Sequence, residues 1–553
     1  MTHQFLNHRD VGPAAHEVEV ERAAACSHLL VTGGPGAGKS SCLHDFVQRQ
    51  LDRGSDLVLL SVDQLSGDTL AELSRDLGLS SQCSVLDALE HWAGDGLAYL
   101  VIDGLDAART RVGFQLLVNL LKGVQGRAGR WRIVASIREF DLEHSPDIKR
   151  LFRGSPHPTR SNPRLDGVCH LDIGLLDQPE FAQVRHQAPA LARLIDGSAH
   201  ELQELLRNPF NLRLACELIA DAVDLSRLSR VSTQIGLLEL YWQERVEKYD
   251  QSGVRELLVQ AAVERMVQTR TLQTPRAPLY EVHPAARETL RHLLSEGVFA
   301  EQHGILAGSA QSVAFSHNIL FDYAVARIWL QDLPSTMIST LAQAQNQDLL
   351  LAIRPSLVFA FQRLWHAQDN HGQFWDRGLA VQATAEMRLI GKIIASTAAA
   401  AEYRTLDDVT WLLDQLAAPE GPGSTLLRHM ITAAISQHEQ APQAHPLSGA
   451  GGAPEWLRLA AELSQRRIEY SAWEVYRLLV HLEESHAALP PDQAMQAGLA
   501  ARNLLRYALS GDRHRNLVPC AISVVGLTIE SAPAESAQAL RLCLEPQERA
   551  SGT

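Results

Sequence analysis

Up to about residue 180, short uninterrupted apolar runs alternate with longer stretches in which apolar residues recur every three or four positions. The runs are Leu29-Leu30-Val31, Leu57-Val58-Leu59-Leu60, Tyr99-Leu100-Val101-Ile102, Ile133-Val134-Ala135 and, less cleanly, Leu171-Asp172-Ile173. Runs this short with no polar alternation predict strands buried on both faces, as in a parallel sheet. The stretches between them, such as Leu43 to Arg53, Thr69 to Leu77 and Val112 to Val124, have helical spacing, so the alternation predicts an α/β domain. Arg153 to Asp166, rich in Arg, Pro and Ser, reads as a loop.

From Gln178 the strand pattern stops. Helical spacing takes over through Phe181 to Leu194, Leu202 to Leu206, Leu212 to Ala222 and Gly236 to Lys248, a helical subdomain following the sheet. Residues 285–331 change character again. A helix ends at Leu293-Leu294-Ser295-Glu296-Gly297, a Val298-Phe299 run follows, then a Gly-containing excursion, a Val313 to Phe315 run and a helix from near Asn318. Helix, strand, wing, strand, helix predicts a winged-helix module. Beyond Ser335, Leu/Ala-rich amphipathic segments of roughly 12 to 18 residues, broken at Pro355, Gly391, Pro422, Pro491 and Pro533, predict an irregular α-helical array. Gln440 to Pro454 is the best linker candidate, and no repeated period appears. The expected divisions are 1–25 as an extension, 26–178 as the α/β core, 179–250 as a helical lid and 251–331 as the winged helix. They continue with 332–439 as a helical array, 440–454 as the linker and 455–553 as a C-terminal helical region.

With 553 residues, 46% hydrophobic and 21% charged, the chain can bury sizeable cores, which excludes disorder and collagen. A net charge of −14 is the wrong sign for wrapping nucleic acid or an anionic membrane over the whole surface. Seven scattered cysteines without C-x-x-C spacing argue against a disulfide framework and suit a reducing cytoplasm. The polar N-terminus lacks the apolar core of a secretory signal, and no apolar run is long enough to span a bilayer. Lysine is scarce, occurring only at Lys39, Lys122, Lys149, Lys248 and Lys392.

One of these lysines completes Gly33-Gly34-Pro35-Gly36-Ala37-Gly38-Lys39-Ser40, which matches G-x-x-x-x-G-K-[ST] directly after an apolar run and before an amphipathic stretch. Glycines at this spacing let successive backbone N–H groups converge on phosphates at the positive end of a helix. Lys39 adds a point charge at the β and γ oxygens, and Ser40, followed by Ser41, supplies a hydroxyl for Mg2+. Such a site needs a carboxylate at the end of a nearby buried strand, and Asp103 closes Leu97 to Ile102 in that position. The predicted fold is therefore an α/β P-loop NTPase domain with a parallel sheet, followed by the helical lid, winged helix and α-helical array.

Asp103-Gly104-Leu105-Asp106 resembles the D-G-hydrophobic-D-E Walker B segment of the NACHT branch of STAND NTPases, the signal-transducing P-loop ATPases. Ala107 stands where that family usually carries an acid. The resemblance implies that Asp106 orients the attacking water and that hydrolysis is slow or absent. Arg138, ending Arg132-Ile133-Val134-Ala135-Ser136-Ile137-Arg138, resembles a sensor that tells ATP from ADP. Asn208-Pro209-Phe210-Asn211-Leu212 resembles the short motif whose proline meets the base or ribose. Phe315-Ser316-His317-Asn318-Ile319-Leu320-Phe321-Asp322-Tyr323 resembles the winged-helix signature whose histidine contacts the β-phosphate of ADP and locks the closed form, which makes His317 the candidate lock.

The resemblance runs over residues 25–331 and says little about the rest. Only about 25 residues precede the first strand, so the output is expected in the C-terminal array, in a partner or in a part of the protein outside this sequence. It implies a cytoplasmic ATP/ADP switch with Mg2+ that exchanges nucleotide on a protein or phage-derived trigger and forms a homo-oligomer, as bacterial antiviral sensors do. Nucleic acid is not expected as the main partner. Two other classes stay open on the residues alone: an ATP-hydrolysing motor reading nucleic acid through the winged helix, and a scaffold that keeps nucleotide as a structural cofactor.

Overall fold

The five apolar runs form β1 (Leu29–Thr32), β2 (Leu57–Ser61), β3 (Ala98–Asp103), β4 (Trp131–Ser136) and β5 (His170–Asp172). In this computed structural model the described residues are 14–544, apart from 66–68, 81–82, 109, 249, 251, 303–310, 368–369, 441–452, 486–488 and 511. The strands build one sheet in the order β2-β3-β4-β1-β5, every pair parallel. Leu29 is in register with Val134, and Ser61 with Asp103. Since all five strands run the same way, the carboxyl ends of β1, β3 and β4 open on one edge. The central strands β3, β4 and β1 are buried on both faces, which is why they are near-continuous apolar runs rather than alternating ones, whereas the edge strands are less so: β2 is mostly half-buried and β5 reads His-Leu-Asp. On one face Leu29, Val31, Val101 and Val134 pack with Phe46 and Val47 of the helix Lys39–Asp52, and the Phe46 ring meets Tyr99 edge-on at 5.1 Å.

The helices between the strands begin where the sequence offers caps. Thr69 accepts from Glu72 N–H to start Leu70–Asp76, and Thr110 accepts from Gly113 N–H to start Arg111–Arg127. The expected helix over Phe181 to Leu194 is two helices, Gln178–Gln187 and Pro189–Asp196. Pro189 has no N–H to donate and pushes Ala188 out of the helical region, so the first helix stops there.

After Pro209–Ala220 and Gln234–Trp242, the latter running on into a π-helical turn over Gln243–Glu247, comes a small three-stranded antiparallel sheet. It is made of β6 (Gln273–Pro275), β7 (Phe299–Gln302) and β8 (Ser312–Phe315), with β8 in the centre. The helices Val254–Thr269 and Ala286–Ser295 precede β6 and β7 respectively, and Asn318–Ala324 follows β8. Strand β6 has no counterpart among the expected elements, because Gln-Thr-Pro carries no apolar run. The excursion between β7 and β8 lies largely outside the described residues, as does most of the linker expected over 440–454.

The chain divides into two compact units, the first up to Gln331 with Asp348–Phe359, the second comprising Asp332–Gln347 and the residues from Ala360 onward. Among the described residues the second unit is helical throughout. Several of the expected breaks in the C-terminal half are helix starts: Pro422, Pro491 and Pro533 are each the first residue of a helix, Pro355 is the second residue of Arg354–Ala367, and Gly391 lies in the first turn of Leu389–Glu402. A proline costs nothing in a first turn, where its missing N–H would have no partner anyway. In the second unit the Trp365, Phe374 and Trp375 rings pack edge-on, their centroids 4.8 to 5.8 Å apart. The His371 ring stacks on Trp365 at 4.1 Å. Among the described residues no helix is long and apolar enough to cross a membrane.

Candidate functional site

The chain leaves β1 at Thr32, turns through Gly33-Gly34-Pro35-Gly36-Ala37-Gly38 and enters the helix Lys39–Asp52. Gly33, Gly36 and Gly38 have φ of +146°, +75° and +99°. A Cβ on Gly33 would stand 2.4 Å from the Ile173 carbonyl oxygen. One on Gly36 would stand 2.7 Å from Phe210 Cβ, 2.8 Å from Asn208 Oδ1 and 3.2 Å from Ile319 Cδ1. Both conformation and close approach therefore require glycine at these two positions. Gly34 faces open space, whereas Ala37 is buried beneath the turn. Gly38 offers no side chain to cap the helix, so the first-turn N–H groups of Lys39, Ser40 and Ser41 sit uncapped by it at the positive end of the helix dipole.

Residues far along the chain hold this loop. Asn208 Nδ2 donates to the Pro35 carbonyl at 3.0 Å, and the Phe210 N–H donates to the Gly36 carbonyl at 3.2 Å. Asn208 Oδ1 also caps the helix that Pro209 begins, accepting from Phe210 and Asn211 N–H. Pro209 lies beside Gly38, its Cγ 3.9 Å from where a Cβ would be. The proline segment and the glycine loop thus form one surface.

Lys39 Nζ donates to the carbonyls of Gly33 and Gly34, at 2.9 and 2.8 Å. Burial lowers its pKa; Asp106 opposes the fall and Arg138 adds to it, with Asp103 and Asp172 opposing more weakly. Ser40 Oγ donates to Asp103 Oδ1 at 3.1 Å, and Ser136 Oγ donates to the same oxygen at 2.7 Å while accepting the Gly104 N–H. The hydroxyl and the carboxylate picked out for a divalent ion are therefore neighbours, brought together by β1 and β3 ending on the same edge.

Asp106 and Arg138 form a closed pair. Asp106 Oδ1 accepts the Arg138 backbone N–H at 3.1 Å, and Oδ2 lies 2.8 Å from Arg138 Nε. Burial works against the Arg138 charge, but Asp106, Asp322 and Asp141 more than offset it and raise its pKa. Both Asp106 oxygens thus serve Arg138, and Ala107 is buried in the turn behind them.

His317 comes to the loop through Phe210, the two rings lying 4.3 Å apart. Its Nδ1 accepts the Ile319 N–H at 3.1 Å, capping Asn318–Ala324. Burial, then the charges of Arg213, Arg138 and Lys39, push its pKa down to about 3. The imidazole is therefore neutral, and since Nδ1 accepts, the proton sits on Nε2 as a donor.

The same edge holds residues that sequence reasoning missed. Ser136 links Asp103 to the turn at Gly104. Asp63 follows β2, and its pKa is raised first by burial and then by Asp103. A carboxylate three residues beyond the apolar run Leu57 to Leu60 was the available signal. Arg213, one helical turn beyond Phe210, was not singled out.

No family model and no curated protein matches the chain. Among solved structures, the chain is similar to one in the structure of Drosophila ORC bound to DNA, with 14% identity and a TM-score of 0.24, over 56% of this chain and 84% of that one.

Chemically, the edge offers a glycine loop with an uncapped helix start, an ammonium held by carbonyl oxygens, and a hydroxyl beside a carboxylate. The donor set fits a nucleotide with Mg2+. Among the described residues no three His, Cys, Asp or Glu side chains group to hold a metal alone, and Mg2+ asks for only one or two protein oxygens when phosphates complete its shell.

Proposed function

We propose that the protein is an ATP/ADP-dependent switch of the STAND class, similar to its NACHT branch. The observation that carries this reading is the clamp on the glycine loop. Asn208 and Phe210 hold the loop backbone, and His317 lies on Phe210, so a ligand in the loop bears directly on the segments that follow the sheet. In this reading the loop N–H groups and Lys39 hold the phosphates, Ser40 and Asp103 hold Mg2+, and Pro209 borders the base or ribose. Neutral His317 donates from Nε2 to a phosphate oxygen. Bound Mg2+ would spread the negative charge of the phosphates.

Hydrolysis is expected to be slow, because Asp106 is committed to Arg138 and Ala107 offers no second acid. ADP would favour the form in which His317 and the loop meet. Exchange for ATP on a protein or phage-derived trigger would favour an oligomerising form, since a ligand shifts a conformational equilibrium only by its differential affinity for the two states. A role in bacterial antiviral defence follows from the resemblance.

The test is to purify the protein gently without added nucleotide, denature it and identify what is released by chromatography and mass spectrometry. Stoichiometric ADP, lost in Lys39→Ala and held less tightly in His317→Ala, is the expected result. Protein that carries no nucleotide and turns ATP over rapidly would overturn the switch in favour of a motor.

A further inference from the structure

We infer that Arg213 is a further nucleotide-binding residue, a cation that engages the phosphate groups alongside Lys39; the inference rests on the nucleotide-binding reading above. Arg213 stands three residues after Phe210 on the helix Pro209–Ala220, and residues at that spacing share a helix face. Phe210 is the residue that touches both the glycine loop and His317, so Arg213 is carried on the loop-facing side.

The bonds of Arg213 leave most of its guanidinium uncommitted. Its Nε donates to Glu217 Oε1 at 2.7 Å. The other oxygen of that carboxylate accepts from Arg245 Nη1 at 2.8 Å, and Arg245 Nε also donates to Asp221 at 2.7 Å. One carboxylate is thus shared between two guanidiniums. The Nε bond fixes the orientation of Arg213, while no partner stands at its two terminal nitrogens among the described residues. The side chain is 36% exposed, so those nitrogens remain open to a ligand. Two parallel N–H groups on a rigid fork match a pair of phosphate oxygens.

The surrounding charge points the same way. Arg213, Arg138 and Lys39 all act on the His317 ring. Arg138 is held by both oxygens of Asp106, whereas Lys39 hydrogen-bonds to carbonyl oxygens and Arg213 is held through Nε alone.

The experiment titrates ADP, pyrophosphate and adenosine into nucleotide-free wild type, Lys39→Ala, Arg213→Ala, Arg213→Lys and Glu217→Gln by calorimetry, with thermal unfolding to confirm that each variant folds. Arg213→Gln replaces the alanine variant if the latter does not fold. Losing a charge-assisted hydrogen bond should weaken ADP and pyrophosphate by about tenfold or more in Arg213→Ala, with adenosine unchanged. Arg213→Lys should recover part of the loss, and Glu217→Gln should keep wild-type affinity. Equal losses for ADP and adenosine, or a Glu217→Gln variant that behaves like Arg213→Ala, would show that Arg213 only positions Glu217 and would overturn the inference. So would an Arg213→Ala variant that binds ADP like wild type while Lys39→Ala does not. A wild type that binds neither ADP nor pyrophosphate would instead sink the nucleotide-binding reading, and this inference with it.

Discussion

Acidification from about pH 7.5 to about pH 5 should weaken the wild-type protein around His317 in a way that a His317→Asn variant escapes. In the folded chain the imidazole is held neutral, its pKa brought from 6.5 down to about 3 by burial and by Arg213, Arg138 and Lys39. In the unfolded chain it takes up a proton below its ordinary value. The unfolded state then binds more protons, so stability is full above 6.5 and falls as the pH drops towards 3. Each pH unit in that window is worth about 1.4 kcal/mol, which sets a ceiling of about 2 kcal/mol at pH 5. His317 as a whole residue is half-buried, and solvent takes up some of this cost. Asn is the right replacement because its side-chain oxygen can still accept the Ile319 N–H at the helix start, while nothing remains to titrate.

Because the chain divides into two compact units, a single global unfolding curve is a poor readout. Hydrogen exchange of peptides covering residues 311–330, corrected for the intrinsic pH dependence of amide exchange, reports the local opening instead. The ratio of wild-type to variant protection should fall by up to about thirtyfold between pH 7.5 and 5, the same 2 kcal/mol expressed as an equilibrium. A ratio that stays within about twofold over the range, or that rises as the pH falls, would refute a neutral His317 held between these cations.

Gly36→Ala should cost at least about 1 kcal/mol from the left-handed backbone alone, and more because Phe210 Cβ must retreat; a lower unfolding temperature together with lost stabilisation by ADP is the expected calorimetric result. Arg138→Met strands the Asp106 carboxylate, whose side chain is only 9% exposed, and should cost about 3 kcal/mol, read as lost hydrogen-exchange protection of peptides covering residues 98–107 and 131–140. In the second unit Asp408 ties several segments together: it accepts the Arg404 and Thr405 N–H groups at 2.7 and 2.8 Å and lies 3.2 Å from His371 Nε2. Asp408→Ala should cost about 2 kcal/mol, read as lost hydrogen-exchange protection of peptides covering residues 403–414.

The parts of this fold that were legible in the sequence are those fixed by local burial. Strands β1, β3 and β4 showed as apolar runs because both of their faces are covered, β5 at the edge showed less cleanly, and Lys39 with its glycines showed because the loop conformation demands them. The strand order was not legible, since it is set by crossovers that bring β4 between β1 and β3. Strand β6 was missed because three residues of Gln-Thr-Pro carry no periodicity. The clamp on the glycine loop was not legible, because Asn208 reaches Pro35 across 173 positions; the resemblance singled out that segment only for its proline at the base or ribose. Arg213 shows the limit most clearly. Four residues before Glu217, it looks from sequence like one more solvated ion pair, already satisfied. Only the folded chain brings Arg245, 28 residues beyond Glu217, onto the other oxygen of the same carboxylate. That third partner turns a closed pair into a shared one, and Arg213 is held through Nε alone, its two terminal nitrogens without a protein partner among the described residues.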